Sequence, residues 1–267
     1  MKVYFDEKRD RLIYIGGSAN QGMWETRWAK EDLNKLFFPP AHLKSSSIVL
    51  ETTKKYIPPG AKILEGGCGL GYNVYFLENS GYETVGVDYA SDTVQRVKEF
   101  MPGLNVRSGD LRRLDFQDCT FDGYWSLGVI EHYYEGYQEV AQEMFRVLKP
   151  GGYLFVTTPA ISALRRIKVR LGIIPRFHEG SVSSSNFYQY AFAAEEVRQS
   201  FLKLGFEFIE SKGWGVYKGI SDEIPGTRLI MSLLCRYFEK PAEYALKDFC
   251  NHMQLLIFKK KPENLSQ

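Results

Sequence analysis

The sequence predicts an α/β fold: a mostly parallel sheet with helices on both faces, preceded by an N-terminal helical cap. Two observations carry this. From Ala61 onward, short apolar runs alternate with amphipathic segments at helical spacing, which is the pattern of strand–helix–strand units. At the first such strand, "ILEGGCGLGYN" (residues 63–73) puts four glycines into six positions, with a glutamate just before them. Backbone that bare, between a strand and a helix, turns tightly and admits a ligand close to the main chain.

The elements follow in order. Residues 1–58 read as the cap: "MWETRWAKEDLNKLFF" mixes apolar and charged residues at helical spacing, "PPAH" breaks it, and a second helix is expected from about Leu43 to Tyr56. "IPPG" then punctuates the chain, and residues 59–267 form the core domain. "AKILEG" is a strand, and "YNVYFLENSG" is a helix closed by Gly81. "TVGVD" is a strand, and "SDTVQRVKEF" is a helix with Ser91 as its N-cap. "LNVRSGD" and "FDGYWSLGVI" are strands. The next helix carries Tyr137, Val140, Ala141, Met144 and Leu148 on one face. "KPGG" turns the chain into the strand "YLFVTTP"; a helix over Ala193–Leu204 and the strands "FEFIES" and "HMQLLIFKKK" complete the pattern. Insertions at about 161–187 and 213–251 interrupt it. The first is basic and then serine-rich; the second holds a predicted helix, "GTRLIMSLLCRYFEKPAEYALKDF".

A chain of 267 residues, 44% hydrophobic, suits one large α/β domain with a full core. A net charge of +2 does not point to nucleic acid as a partner. Cys68, Cys119, Cys235 and Cys250 are scattered without a CxxC pair, so buried free thiols are expected rather than a metal site or disulfides. The start of the chain lacks the apolar run of a signal peptide, and no stretch reaches the roughly 20 apolar residues that span a bilayer. A cytoplasmic protein, monomeric or homodimeric, is expected, with at most peripheral membrane contact.

Two ligand classes use a glycine turn of this kind: dinucleotides and S-adenosylmethionine. Dinucleotide folds favour GxGxxG, with the pyrophosphate at the helix N-terminus. Here Gly67, Gly69 and Gly71 give GxGxG, and Tyr72 stands where the last small residue of the dinucleotide pattern would fall. Glu65 would repel a pyrophosphate but suits a ligand that carries an ammonium and a sulfonium. Asp88 ends the next strand and can accept from both ribose hydroxyls, which either ligand class offers.

Four blocks, "ILEGGCGLG", "VGVDYA", "SGDLRRLDFQDCTFDGYWSLGVIEHY" and "FRVLKPGGYLFVTTP", occur in this order. On these blocks the chain resembles the class I S-adenosylmethionine-dependent methyltransferases, in particular the small-molecule branch related to ubiquinone-biosynthesis enzymes. The resemblance implies a Rossmann-like sheet of seven strands in the order 3-2-1-4-5-7-6, with the last strand antiparallel. It implies S-adenosylmethionine as cofactor, with S-adenosylhomocysteine as its product. It assigns Gly67 and Gly69 to the methionine part of the donor, Glu65 to the organisation of that loop, and Asp88 to the ribose. Tyr89 packs against the adenine, Asp110 and Leu111 lie at the adenine amino group, and Leu127 and Gly128 form the floor under the sulfonium.

The implied function is methyl transfer to a small-molecule acceptor, more readily at oxygen. The alternatives are a catalytically inactive donor-binding scaffold and a nicotinamide-dependent oxidoreductase. His132, in "EHYY" just beyond the fourth core strand, is the candidate general base, because its unperturbed pKa suits neutral pH. The competing reading is that Glu131 and His132 shape the loop and cap the next helix. His178, in the first insertion, is the second candidate. Arg27 can pair with the donor carboxylate while Trp24 and Trp28 close over it. "LRRIKVR" suits an anionic acceptor or a membrane surface. Tyr188 and Tyr190 are candidates for acceptor contact. No complete metal-ligand set is present.

Overall fold

The computed structural model describes residues 1–38, 48–178, 182–224, 226–227, 245–247 and 249–262. The chain opens with two strands, β1 (Lys2–Asp6) and β2 (Arg11–Ile15). Three helices follow: α1 (Gln21–Trp28), α2 (Leu33–Phe37) and α3 (Ile48–Tyr56). The core then alternates β3 (Lys62–Gly66), α4 (Tyr72–Glu78), β4 (Glu83–Asp88), α5 (Ser91–Phe100), β5 (Val106–Ser108) and β6 (Phe121–Leu127). A single 3-10 turn at Ile130–His132 leads to α6 (Gln138–Val147) and β7 (Leu148–Pro159). The remainder is α7 (Ala163–Arg170), β8 (Phe187–Phe192), α8 (Ala194–Lys203), β9 (Phe206–Trp214), α9 (Val216–Glu223) and β10 (Met253–Lys260).

Seven strands form one sheet in the order β5-β4-β3-β6-β7-β10-β9. Numbered from β3 as the first core strand, this is 3-2-1-4-5-7-6, the order implied by the resemblance. The pairs β3–β4, β3–β6, β4–β5 and β6–β7 are parallel, whereas β10 runs antiparallel to both β7 and β9. The central strands are apolar because both their faces are covered. Ile63 and Leu64 of β3, Tyr124 and Trp125 of β6, and Leu255, Leu256 and Ile257 of β10 are all fully buried. The Trp125 ring stacks on Phe155 at 4.4 Å, and its Nε1–H donates to Thr53 Oγ1 at 2.9 Å, which pins α3 to the sheet. On the predicted face of α6, Val140, Ala141 and Met144 are buried, with Tyr137 just before the helix and Leu148 just after it.

Two expectations need correction. The N-terminal segment is not purely helical, because β1 and β2 form an antiparallel hairpin that pairs with β8 in a second, three-stranded sheet. The two short apolar runs "KVYFD" and "RLIYI" around the charged turn "EKRD" are the hairpin signal. Ser91 is the first helical residue of α5 rather than its cap; Asp88 Oδ1 instead accepts the Ala90 N–H at 2.9 Å. The start of the helix expected from Leu43, and most of the one expected in the second insertion, lie outside the described residues. Among the described residues no helix is long and apolar enough to cross a membrane.

Candidate active site

A cavity of about 1770 Å³ lies across the carboxyl ends of the core strands. One side is built by the ends of β3, β4 and β6. After Gly66 the chain turns through Gly67 (φ +77°) and Gly69 (φ +51°), a backbone region that a β-carbon disfavours. The turn is tied to β4: the Gly67 and Cys68 N–H groups donate to Val87 O at 2.7 and 3.1 Å. The Asp88 carboxylate fastens it a second time, since Oδ2 accepts the Gly69 N–H at 2.7 Å. Asp88 is buried, which pushes its carboxyl pKa up, while the backbone N–H groups of Ala90 and Gly69 oppose the shift. Each of its oxygens retains acceptor capacity, and the residue is on the cavity wall.

Glu65 is buried at the end of β3. Oε1 accepts from Asn73 Nδ2 at 2.8 Å, and Oε2 has no hydrogen-bond partner. Burial pushes its pKa up to about 8, against the Asn73 hydrogen bond. The wall beside it is made by Gly67; Glu65 itself is not part of the lining.

The other donor-side residues divide by environment. Tyr89 is exposed on the wall, with its hydroxyl donating to Ala19 O at 3.3 Å. Asp110 also lines the cavity and is paired with Arg112, Nη2 to Oδ2 at 2.7 Å, which holds its carboxyl below the usual range. Leu111 is buried beside it. Leu127 and Gly128 (φ +67°) form the floor, where the Gly128 N–H donates to Thr157 Oγ1 at 3.0 Å.

Helix α1 covers this end. Asn20 caps it by accepting the Met23 N–H at 2.9 Å. The Trp28 indole lies over the glycine turn so closely that a β-carbon at Gly69 would sit 3.1 Å from it. Trp24 stacks on Trp28 with centroids 6.0 Å apart and meets the His132 ring edge-on at 5.1 Å. His132 in turn meets Tyr188 at 5.4 Å, and the Arg27 guanidinium lies 5.4 Å from the centroid of Trp24 and 5.5 Å from that of Trp28. All five residues line the cavity.

His132 Nδ1 is 2.8 Å from the Tyr188 carbonyl oxygen. A carbonyl only accepts, so Nδ1 carries the proton and Nε2 holds the lone pair. Burial pushes the imidazole pKa down to about 4, against this hydrogen bond, so the ring is neutral at pH 7 rather than partly protonated as its ordinary value implies. The preceding Glu131 is buried on the cavity wall with Oε2 unpartnered, and burial pushes its pKa up to about 8.

Tyr188 and Tyr190 separate. The β2–β8 register pairs Tyr14 with Gln189 but Ile15 with Phe187, so Tyr188 is the extra residue of a bulge. Its ring lines the cavity and its carbonyl serves His132. Tyr190 is buried in the core, donating its hydroxyl to Tyr134 O at 3.0 Å under the Arg11 guanidinium, so it does not reach an acceptor. His178 is exposed and is not on the cavity wall, which removes the geometric basis for a catalytic role.

The far end of the cavity holds a charged group that spacing could not reveal. Arg165 of α7, buried at 3% side-chain exposure, pairs with Glu223 of α9, Nε to Oε1 at 2.7 Å. Lys168 pairs with the other oxygen at 2.7 Å. "LRRIKVR" was legible as a basic stretch, but its partner lies 58 positions from Arg165.

The match to known proteins is decisive at this point. Residues 64–156, which include the glycine turn, Asp88 and His132, match the methyltransferase domain model. Over residues 64–156 the chain therefore carries a methyltransferase domain. It is 38% identical over 100 residues to a "Probable S-adenosylmethionine-dependent methyltransferase" of Mycolicibacterium smegmatis, covering 38% of each chain. It is 28% identical over 217 residues to the sarcosine/dimethylglycine N-methyltransferase of Aphanothece halophytica, covering 76% of this chain and 74% of that one. The alignments thus span little more than a third of the first relative's length and about three quarters of the second's. The fold is shared with a S-adenosylmethionine-dependent methyltransferase from Archaeoglobus fulgidus, at a TM-score of 0.52 and 18% identity over 85% of this chain and 98% of that one.

The residues of the site fit S-adenosylmethionine. S-adenosylmethionine is cationic at its sulfur and its amino group; buried Glu65 precedes the glycine turn and buried Glu131 borders Gly128, and among the described residues each has an unpartnered oxygen. The cavity also exceeds the roughly 300–1,000 Å³ of single-ligand pockets, so it has room for two molecules.

Proposed function

We propose that the protein transfers the methyl group of S-adenosylmethionine to a small molecule, at an oxygen atom. The observation that carries this reading is His132: it lines the same cavity as Asp88 and Gly128, and its Nδ1–H is committed to the Tyr188 carbonyl. Bound S-adenosylmethionine supplies an electrophilic methyl group on a positively charged sulfur. The chain supplies position and proton transfer. Gly67, Asp88, Leu127 and Gly128 hold the donor end, and alignment of an acceptor over that floor is worth up to roughly 7–11 kcal/mol in well-oriented systems. An acceptor hydroxyl would give its proton to His132 Nε2 as its oxygen bonds the methyl carbon and the carbon–sulfur bond breaks, with neutral S-adenosylhomocysteine as the leaving group; the imidazole would then return the proton to water. A base of this kind contributes typically about 10²–10⁴-fold. With its pKa near 4, His132 works in concert with bond formation rather than by pre-forming an alkoxide.

The test is calorimetry with S-adenosylhomocysteine, with NADH in parallel, followed by a product search with isotope-labelled S-adenosylmethionine and pooled hydroxyl, amine and carboxylate acceptors. Binding of S-adenosylhomocysteine alone and label appearing as methyl ethers or esters supports the proposal. Label only on nitrogen or carbon refutes oxygen as the target.

A further inference from the structure

The cavity extends well past the donor end, toward β7 and β10, and there its chemistry changes sign. On the β4–β6 side, Asp88, Asp110, Glu131, Glu135 and Glu139 outnumber Arg27 and Arg112 on the wall, as suits a cationic donor. Among the described residues, the charged wall residues on the β7–β10 side are Arg165, Lys168 and Lys218 against Asp222 and Glu223, an excess of one positive charge. His252 adds none, because burial, then Lys218 and Arg165, push its pKa down to about 4.

We propose that the methyl acceptor carries an anionic oxyacid group, a carboxylate or phosphate, held at this end by Arg165 and Lys168. The proposal rests on the small-molecule reading above and adds the chemical class of acceptor. Arg165 is fixed as a built receptor: α7 starts at the Ser162 N-cap directly after β7, and the guanidinium donates from Nε to Glu223 and from Nη1 to Ala160 O at 2.6 Å. Among the described residues no acceptor takes a hydrogen bond from Nη2. Lys168 Nζ is held at Glu223, to Oε2 at 2.7 Å and to the carbonyl at 3.2 Å. One carboxylate therefore serves two cations. The remaining charge pair, Lys218 with Asp222 at 2.7 Å, is self-neutral. An unbalanced cation in a poorly hydrated wall is unfavourable, and an entering anion relieves it. A guanidinium fork matches carboxylate and phosphate oxygens in particular. Val3, Tyr14 and Ile174 supply an apolar wall at the same end, so the rest of such an acceptor can be a ring or short hydrocarbon.

The experiment uses the full chain saturated with S-adenosylhomocysteine and measures binding of benzoate and phenyl phosphate against their neutral counterparts benzamide and phenol. At least one anion should bind at least about tenfold more tightly than its neutral counterpart. Lys168→Met should abolish most of that preference, by about tenfold for one lost charged hydrogen bond, and Lys168→Arg should restore it. Lys168 is the position to vary, because removing Arg165 leaves Glu223 buried without its main partner and endangers the fold. Equal binding of anions and neutral molecules, or an anion preference that survives Lys168→Met, overturns the proposal. Failure to bind S-adenosylhomocysteine at the outset would instead refute the donor reading, so the two failures are distinct.

Discussion

Glu65→Gln should make the protein more stable at pH 8 and leave it little changed at pH 5. Glu65 is 2% exposed, and its carboxyl is pushed from an ordinary 4.5 up to about 8. Between those values the native state holds a proton that the unfolded chain releases, so stability falls as pH rises. The proton-linked stability is fully present below pH 4.5 and is lost as pH rises through about 8. At about 1.4 kcal/mol per unit, the loss by pH 7 is on the order of 3 kcal/mol. Glutamine is close in shape, does not titrate, and its amide oxygen can still accept from Asn73. Urea unfolding at pH 5, 6, 7 and 8 measures the effect. The wild-type midpoint should fall across this range, and the variant should lose a substantial part of that slope. Glu131, also raised to about 8, and Glu196, raised to about 7, add to the remainder, while the lowered His132 and His252 oppose it below about pH 6.5. The same substitution should weaken S-adenosylhomocysteine, because the cationic amino group loses a carboxylate that its own field helps to ionise. An unchanged slope, or a variant less stable than wild type at pH 8, would refute the reasoning.

Three other outcomes follow from the site. His132→Ala should lower turnover by about 10²–10⁴-fold with little change in S-adenosylhomocysteine affinity; since the imidazole is neutral above about pH 4, the wild-type rate should lack an acid limb near pH 6.5, and finding one assigned to His132 would contradict the buried tautomer. Asp88→Ala removes the acceptor for the Gly69 and Ala90 N–H groups, so donor affinity measured by calorimetry should drop at least tenfold, roughly the effect of one charged hydrogen bond. Tyr190→Phe should cost about 1 kcal/mol in urea unfolding for the lost bond to Tyr134, with turnover unchanged.

Much of the donor half was readable from sequence because it is local. The strand β3, the turn, α4 and the acid ending β4 lie within residues 62–88, so glycine spacing and apolar runs sufficed to order them. The acceptor half was less readable because it is assembled from distant pieces. Nothing near Tyr188 and Tyr190 shows that a bulge separates them; it arises from pairing with β2, about 175 positions away. The environment of His132 was misjudged for the same reason: its downshift comes from burial by parts of the chain that are remote in sequence. The N-terminal hairpin was missed, because its strands are short and pair with β8, which lies far along the chain.

The bulge at Tyr188 also divides the protein's inheritance. In the proposed function, grip on the donor is encoded in one contiguous stretch, whereas the hold on the histidine depends on a carbonyl whose place is set by the opening hairpin. Exchanging the opening strands and β8 together could therefore retune proton transfer and acceptor choice without rewriting the donor cradle. Changing one without the other would shift the bulge and leave a protein that takes up its donor but has lost its aim.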